Sequence, residues 1–356
     1  MREHRYEVTI GIPVYNIEKY VRLSMDSALA QTFEDIEFLV LDDCGTDTSI
    51  DIVREYQQTH PRGKDIRIIR QPHNMGIGKG RNRIMSEAKG KYLYFLDGDD
   101  SISANAIELL HSSIKHYDAD IACGSYCRIE EFDDSVNKQN WQFPSMCFLR
   151  EDEFACYAYQ SYGLFPANIW NILIKVEIFR NNGIVFPDAN YWEDFAVTMD
   201  LPTYIERAVL IPDITYNYYC RYGSLSNFQQ RSLISKKEIQ KTIDMMGNVK
   251  RNSDRIKKKL YFPGRMYKLM MSHFYIVCTI VSKRTIISPS FSNLEIRDIM
   301  RSPLSFNETL CLNGCRLKNL FLFLLGVLPP FITVGLIDLF VLYKSFSNHE
   351  NSTPIV

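Results

Sequence analysis

Leu93-Tyr94-Phe95-Leu96-Asp97-Gly98-Asp99-Asp100 is an apolar run that passes directly into a cluster of carboxylates. Such a run places acids at the carboxyl end of a buried strand, where open α/β sheets bind their ligands. Asp97 and Asp99 can together bind a hard divalent cation, and the group that such a cation most often binds in turn is a diphosphate. Gly98 lets the backbone approach a bound group closely. Because the same residues also make a good turn, the rest of the chain must decide between a binding site and a turn.

The first hundred residues alternate between strand and helix patterns. Strand-like runs occupy residues 8–12, 36–41 and 67–70 and the stretch that ends at Asp97, and helical segments separate them. This order predicts an α/β fold with a doubly wound, mostly parallel sheet. We expect the loops after these strands to converge at one edge of that sheet.

Three further loops at that edge carry groups suited to a nucleotide. The loop after the first strand offers a rigid turn, a ring and polar groups that could stack on a base and bind it: Pro13, Tyr15, Asn16 and Glu18. After the second strand, Asp43 could accept a base N–H or a ribose hydroxyl. After the third, residues 73–82 form a flexible basic loop suited to a diphosphate. Each loop alone is more often an ordinary turn or cap, so the indication rests on their convergence.

Composition bounds the class of protein. The chain has 356 residues, 46% of them hydrophobic, which is enough for one large or two moderate domains. A formal net charge of −1 gives no overall basic field, so we expect no nucleic-acid partner. The charged N-terminus leaves no room for a signal peptide, and the nine cysteines include no C-x-x-C pair. We therefore expect a cytoplasmic protein with reduced thiols.

The order of these motifs resembles the nucleotide-sugar-binding half of family 2 glycosyltransferases, which have the A-type glycosyltransferase fold. The matching segments are Ile12-Pro13-Val14-Tyr15-Asn16, Leu41-Asp42-Asp43-Cys44-Gly45-Thr46-Asp47, Asn74-Met75-Gly76, Gly80-Arg81-Asn82 and Leu96-Asp97-Gly98-Asp99-Asp100. Trp192-Glu193-Asp194-Phe195 and residues 169–174, 183–187 and 216–226 are similar to the acceptor half of bacterial members that build surface polysaccharides. The resemblance covers roughly residues 7 to 226.

The resemblance implies roles in donor binding. Asp43 would recognise the base and Arg81 would lie near the diphosphate. The pocket for the base would be shaped by Pro13, Tyr15, Asn16 and Glu18. Asp99 would bind Mn²⁺ or Mg²⁺, and Asp97 would hold the ribose or the water shell of the ion. The metal would neutralise the departing nucleoside diphosphate.

The resemblance also implies roles in acceptor chemistry. Asp194 would be the general base that takes the proton of the acceptor hydroxyl, and a single displacement would invert the anomeric carbon. Glu193 shares the same Glu-Asp motif, and the adjacent Trp192 could offer its ring to a sugar. The same segment is also an ordinary helix start with acids near the positive end of the dipole. No histidine follows Asp194 in the stretch where some relatives supply a metal ligand, so a third protein ligand is unassigned.

The C-terminal third has a different composition. Residues 250–268 contain eight Lys or Arg residues and one acid, a pattern typical of a solvated helix face or of contact with an anionic membrane surface. Residues 320–343 carry a single charge, Asp338, over a length that could span a bilayer. Pro329-Pro330 splits this run into two halves of roughly 18–20 Å, so a shallow hairpin at the membrane fits better than a straight span. The alternative is a soluble helical hairpin.

Together these patterns predict three regions: a catalytic domain over residues 1–226 (donor half 1–100, acceptor half 101–226), a basic helical region over 227–315 and an apolar hairpin over 316–356. The predicted activity is inverting, metal-dependent transfer of a sugar from a nucleotide-diphosphate sugar to a lipid-linked or polysaccharide acceptor at the inner face of the cell membrane. Two alternatives stay open, namely a nucleotidyltransferase that makes a nucleotide sugar and a catalytically silent nucleotide-sugar-binding module. Release of pyrophosphate would reveal the first, and binding without turnover the second.

Overall fold

The chain forms two compact units, Met1–Gln229 and Gln230–Val356. The computed structural model describes residues 5–132, 135–160, 168–189, 192–222, 233–312 and 316–350. Residues 223–226 of the acceptor segment and the boundary predicted at residue 226 lie outside the described residues, as do residues 313–315 and 351–356.

The first unit is an α/β domain built around one large sheet. Its strands are β1 (Tyr6–Val14), β2 (Ile36–Asp42), β3 (Ile66–Arg70), β4 (Gly90–Phe95), β5 (Ser101–Ile102), β6 (Ile121–Phe132), β7 (Ser135–Trp141), β8 (Met146–Phe148), β9 (Ile172–Lys175) and β10 (Ala208–Arg221). Its helices are α1 (Val21–Leu29), α2 (Ser49–Thr59), α3 (Ile77–Glu87), α4 (Ala106–Tyr117), α5 (Glu153–Gln160), α6 (Val176–Asn182) and α7 (Glu193–Asp200).

The sheet has the strand order β3-β2-β1-β4-β9-β6-β10-β5, with β7 paired to β6 and β8 paired to β10. The four strands β3, β2, β1 and β4 are parallel, and their register places Val8 opposite both Ile36 and Tyr92. Strand β9 joins β4 and β6 antiparallel, whereas β10 pairs with β6 in parallel. The predicted mostly parallel, doubly wound sheet is confirmed.

Both faces of the sheet are covered, which explains why its strands read as apolar runs. Strand β2 is buried along its whole length, and its alternate side chains enter two separate cores. Phe38 packs on one face with helices α1, α2 and α4, and Leu39 on the other with α3 and α6. The carboxyl ends of β1, β2 and β4 therefore meet at one edge, where Tyr15, Asp43 and Asp97 follow them. Pro13, expected in the loop after the first strand, is instead the penultimate residue of β1 and pairs with Leu41 of β2.

The second unit is helical. Its elements are β11 (Ile234–Ser235), α8 (Lys236–Asn252), α9 (Phe262–Ser282), β12 (Ile287–Ser288), α10 (Asn293–Ile299), α11 (Phe306–Leu310), α12 (Arg316–Val327) and α13 (Pro330–Glu350). Both α12 and α13 pack on α9, as shown by a hydrogen bond from Asn319 Nδ2 to the carbonyl of Pro263 (3.2 Å) and by the ring contact of Phe274 with Phe340.

The two C-terminal helices have one buried and one exposed face. Leu322 and Leu325 of α12 and Ile337 of α13 are buried, whereas Leu317 and Leu339 are exposed. Within the part of the chain that the structure describes, none of the helices combines the length and the apolar character needed to cross a bilayer. Residues 316–344 are therefore partly core and partly surface.

Substitution on these two faces should have opposite outcomes. Leu325→Ala deletes a side chain that is 1% exposed and should lower the free energy of unfolding by about 2–5 kcal/mol. Leu317→Ala, on a residue that is 80% exposed, is the matched control and should change it by less than about 0.5 kcal/mol. Urea denaturation followed by circular dichroism measures both. Equal, small changes would show that α12 does not pack as described.

Candidate active site

The acidic segment after β4 lies at the sheet edge and contains three carboxylates in different surroundings. The Asp97 side chain is 25% exposed, Asp99 is partly buried and Asp100 is fully buried. Burial and the neighbouring charge of Asp97 raise the pKa of the Asp99 carboxyl to about 6. Burial raises the pKa of Asp100 further, and the charges of Asp99 and Asp97 add to the rise. Crowding of negative charge is thus the main electrostatic feature of this edge.

Arg81, from α3, is the cation that compensates this charge. Its Nη2 donates to Asp97 Oδ1 at 2.9 Å, and its Nη1 donates to Glu193 Oε1 at 3.0 Å and to Asp194 Oδ1. The side chain is only 3% exposed, and its guanidinium lies over the ring of Phe186, 5.6 Å from the centroid. One residue therefore joins the segment after β4 to the first turn of α7.

One guanidinium cannot neutralise three carboxylates. Burial raises the pKa of Asp194 and of Glu193, the positive charge of Arg81 opposes that rise, and the nearby negative charge of Asp97 adds to it. The three carboxylates together raise the pKa of Arg81 against the effect of its burial. The site thus holds an excess of negative charge that a cation would stabilise.

The orientation of Asp194 is fixed from two sides. Its Oδ1 accepts from Arg81, and its Oδ2 accepts the backbone N–H of Ile169 at 3.2 Å. Helix α7 begins at Glu193, so both acids occupy its first turn, where the helix dipole favours negative charge. Trp192 precedes them with a left-handed φ of 65°, and its ring contacts Phe195 at a centroid distance of 5.6 Å. The candidate base is therefore also one of the acids that stabilise the start of α7.

The loops after β1 and β2 bind each other through residues expected at the base pocket. Asn16 Oδ1 accepts the N–H of Thr46 at 2.7 Å, and Glu18 Oε2 accepts both the N–H (3.2 Å) and the hydroxyl (2.9 Å) of Thr48. Tyr15, in contrast, is 45% exposed and has its ring available to a ligand. The structure thus shows Asn16 and Glu18 shaping the loops, and Tyr15 projecting from them.

Asp43 is buried and holds the loop that follows β3. Its Oδ1 accepts the N–H of Met75 at 2.9 Å and its Oδ2 accepts the N–H of Gly76 at 3.0 Å. Burial raises the pKa of Asp43, and these two hydrogen bonds counteract the rise. Gly76 has a φ of 82°, which favours glycine at this position. The carboxylate expected to bind the base of the nucleotide therefore also holds the loop after β3 in place.

Gly98 is required by a close approach between protein segments. A Cβ atom on Gly98 would lie 2.4 Å from Ile17 Cδ1 and 2.8 Å from the carbonyl oxygen of Pro13. The sequence suggested close approach of a bound group, and the structure adds that the loop after β1 already fills the space beside this glycine. The partly buried Pro13 is thus in direct contact with the acidic segment.

Asp97 and Asp99 are carboxylates that could hold a metal ion. Among the described residues, no three His, Cys, Asp or Glu side chains group together as a metal-binding cluster. Burial, followed by the charge of Asp97, raises the pKa of the Asp99 carboxyl, and the positive charge of Arg221 opposes the rise only in part. A pair of oxygen donors of this kind fits Mg²⁺ or Mn²⁺, ions that complete their coordination with water and phosphate oxygens.

Sequence analysis missed the contribution of β10. Tyr216, Tyr219 and Arg221 bind the acidic segment, and Trp170 stacks on the Tyr216 ring at a centroid distance of 4.3 Å. The segment 216–221 was noticed for its resemblance to the acceptor half. Its contact with residues 97–100 could not be found without knowing that β10 and β5 pair.

Known proteins resemble this chain in sequence and in fold. Residues 9–181 match the family model described as Glycosyl transferase family 2. Glycosyltransferase GlyA of Streptococcus pneumoniae serotype 4 is 30% identical over 229 residues, which are 62% of this chain and 31% of the relative. This chain therefore spans about a third of the length of that relative.

Two solved structures show the same fold at low identity. S. aureus TarS 1–349 in complex with UDP-GlcNAc superposes with a TM-score of 0.56 at 16% identity and covers 90% of each chain. Mannosyltransferase PcManGT from Pyrobaculum calidifontis, in complex with GDP-Man and Mn²⁺, has a TM-score of 0.53 at 13% identity and covers 94% of this chain and 88% of that one.

The strand order and the likeness to these solved structures show the A-type glycosyltransferase fold. Residues 9–181 of this chain carry a family 2 glycosyltransferase domain.

Removing the charge of Arg81 should destabilise the fold in a pH-dependent way. Arg81→Met leaves buried carboxylates uncompensated and should lower the free energy of unfolding by about 3–5 kcal/mol at pH 8. Part of the loss should return at pH 5. Burial raises the folded-state pKa values of Glu193 and Asp194 above their unfolded values, and loss of Arg81 would raise them more, so the folded protein binds extra protons and gains stability as the pH falls.

Urea denaturation at both pH values measures this effect. Arg83→Met is the control on the same helix, because Arg83 is exposed and its ion pair with the partly exposed Glu87 is a surface pair of small energetic value. A loss that is identical at pH 5 and pH 8 would contradict the described charge balance.

Proposed function

We propose that this chain is a metal-dependent, inverting glycosyltransferase that moves a sugar from a nucleotide-diphosphate sugar to a polysaccharide or lipid-linked acceptor in bacterial surface-glycan synthesis. The observation that carries the proposal is the set of contacts of Arg81. A single guanidinium binds both Asp97 and Asp194. The carboxylates to which we assign metal binding and proton acceptance therefore share one hydrogen-bonding partner.

The donor nucleotide would bind over the loops after β1, β2 and β3. Tyr15 would stack on the base, and Asp43, with lone pairs left after binding the loop amides, would accept a base N–H. Complexes of the fold neighbours with UDP-GlcNAc and GDP-Man support a nucleotide-sugar donor. Because a carboxylate can pair with uracil, thymine or guanine, the base is left open.

Asp99, assisted by Asp97, would hold Mn²⁺ or Mg²⁺. The bound ion would supply positive charge that stabilises the departing diphosphate. The excess of carboxylates over cations at this edge favours such an ion, and the Mn²⁺ complex of the mannosyltransferase supports the proposal. Arg81 is already bound to three acids, so we assign it to orienting Asp97 and Asp194 in addition to lying near the diphosphate.

Asp194 would accept the proton of the acceptor hydroxyl. The hydroxyl oxygen forms a bond to the anomeric carbon, the bond from that carbon to the β-phosphate oxygen breaks, and the nucleoside diphosphate leaves with the bonding electrons. Because attack and departure take place on opposite faces, the anomeric configuration inverts. Trp192, next to the base, would offer an aromatic face to the acceptor sugar, and Glu193 would help Arg81 to hold the site together.

Asp194→Asn separates chemistry from binding. The substitution keeps the shape of the side chain but removes its ability to take up a proton, so transfer should fall by about 10²- to 10⁴-fold while donor affinity is retained. Calorimetric titration with nucleotide sugar and Mn²⁺, together with a turnover assay, measures the two effects. Asp99→Ala is the contrasting variant and should weaken metal-dependent nucleotide binding itself. If Asp194→Asn loses donor binding to the same extent as transfer, its role is structural.

We also propose that the second unit binds an anionic membrane surface through the exposed faces of α12 and α13. Leu317, Phe321 and Leu324 follow each other at helical spacing on α12, and Ile332, Leu336, Leu339 and Tyr343 do so on α13, all of them exposed. Apolar stripes of this kind lie at a lipid interface when basic residues accompany them. Arg251, Arg255, Lys257 and Lys258 of the basic segment are exposed, whereas Lys250 is directed inward and donates to the carbonyl of Arg301.

Charged substitution on the apolar stripes tests the membrane proposal. The double variant Phe321→Glu and Leu339→Glu should float at least tenfold less with phosphatidylglycerol-containing vesicles, because it removes apolar contact and adds repulsion. Its melting temperature should stay close to that of the wild type, since both positions are exposed. Val136→Glu, at an exposed position in β7, is the control. Wild-type protein that does not float, or a double variant that floats equally well, defeats the proposal.

A further inference from the structure

Strand β10 forms hydrogen bonds with each of the three aspartates of the acidic segment, Asp97, Asp99 and Asp100. The backbone N–H of Asp97 donates to Tyr216 Oη at 3.2 Å, and the Tyr216 hydroxyl donates to Asp100 Oδ2 at 2.8 Å. The N–H of Tyr219 donates to Asp100 Oδ1 at 2.8 Å. Arg221 Nη1 donates to the carbonyl oxygen of Asp99, also at 2.8 Å. These contacts join positions more than 115 residues apart in the chain.

The side chains of Tyr216 and Arg221, which form these hydrogen bonds, are themselves held in place. Tyr216 is fully buried and stacked on Trp170. The Arg221 guanidinium lies between the rings of Tyr20 (4.4 Å) and Tyr219 (4.1 Å), and its Nε donates to Glu131 at 2.6 Å. A planar cation between two rings and an acid has little freedom to turn. Tyr216, Tyr219 and Arg221 therefore form a rigid frame that holds the acidic segment.

We propose that Asp100, Tyr216 and Arg221 are positioning residues that set the geometry of Asp97 and Asp99. Asp100 is not a metal ligand in this scheme. Both of its carboxylate oxygens already accept hydrogen bonds from β10, and the residue is 1% exposed. Asp100 thus anchors the backbone segment that carries Asp97 and Asp99. The proposal deepens the proposed function, since it rests on Asp97 and Asp99 being the residues that meet the metal.

Tyr216→Phe tests the frame with little change in packing. The variant keeps the ring that stacks on Trp170 but removes the hydroxyl that serves both Asp97 and Asp100. We expect amide hydrogen exchange at Asp97 to become at least tenfold faster and Mn²⁺ to bind about tenfold more weakly, because a buried donor and acceptor lose their partner. Tyr219→Phe is the matched control, because only its backbone N–H contacts Asp100 and that group is unchanged.

Three readouts separate the outcomes. Amide exchange measured by NMR reports the frame whether or not a metal binds, and electron paramagnetic resonance of free Mn²⁺ reports metal affinity. Circular dichroism shows that the variant is folded. Asp100→Asn, which keeps one acceptor oxygen, should retain more Mn²⁺ affinity than Asp100→Ala.

Unchanged exchange at Asp97 in Tyr216→Phe would overturn the positioning role. Faster exchange with unchanged Mn²⁺ affinity would also overturn it, because the frame would then not serve the metal site. Wild-type protein that binds no Mn²⁺ would contradict the proposed function as well, and faster exchange in the variant would then show a frame without a catalytic purpose.

Discussion

The site depends on one guanidinium placed among three carboxylates. Arg81 would be costly to bury without a counter-charge, and so would Glu193 and Asp194, but the ion pairs among them offset part of that cost. The arrangement also links two segments, the one after β4 and the start of α7, that the chain separates by almost a hundred residues. Remaining negative charge, which Arg81 does not cancel, prepares the site for a further cation.

Much of the fold was predictable because strands and helices follow from local sequence patterns. Apolar runs that end in acids predicted β2 and β4 with their functional ends, and helical spacing predicted α1 and α3. The direct contact of Arg81 with Asp194 was not predictable, since it depends on how α7 returns to the sheet. The partners of Asp100 were equally hidden. They come from β10, whose place in the sheet depends on its long parallel pairing with β6, far away in the sequence from residues 97–100 of the first half.

The C-terminal helices show a limit of reading apolar runs. Residues 320–343 suggested a hairpin in one leaflet because nearly every residue is apolar. The structure divides that run between an inner face that contacts α9 and an outer face that is exposed. Composition alone cannot make this division, because burial in protein and burial in lipid select the same side chains. Likewise, Arg265 of the basic segment is fully buried and does not reach the surface.

The nature of the released product tests the central claim most directly. The chain is incubated with Mn²⁺, a panel of nucleotide sugars and an acceptor glycan, and the paramagnetic ion is removed by chelation before measurement. Phosphorus NMR then identifies the phosphorus product, and proton NMR of the anomeric signal gives the configuration of the new glycosidic bond. We predict a nucleoside diphosphate and a glycosidic bond of inverted configuration, in amounts that match each other. Release of pyrophosphate, or retention of the anomeric configuration, would contradict transfer by a single displacement at Asp194.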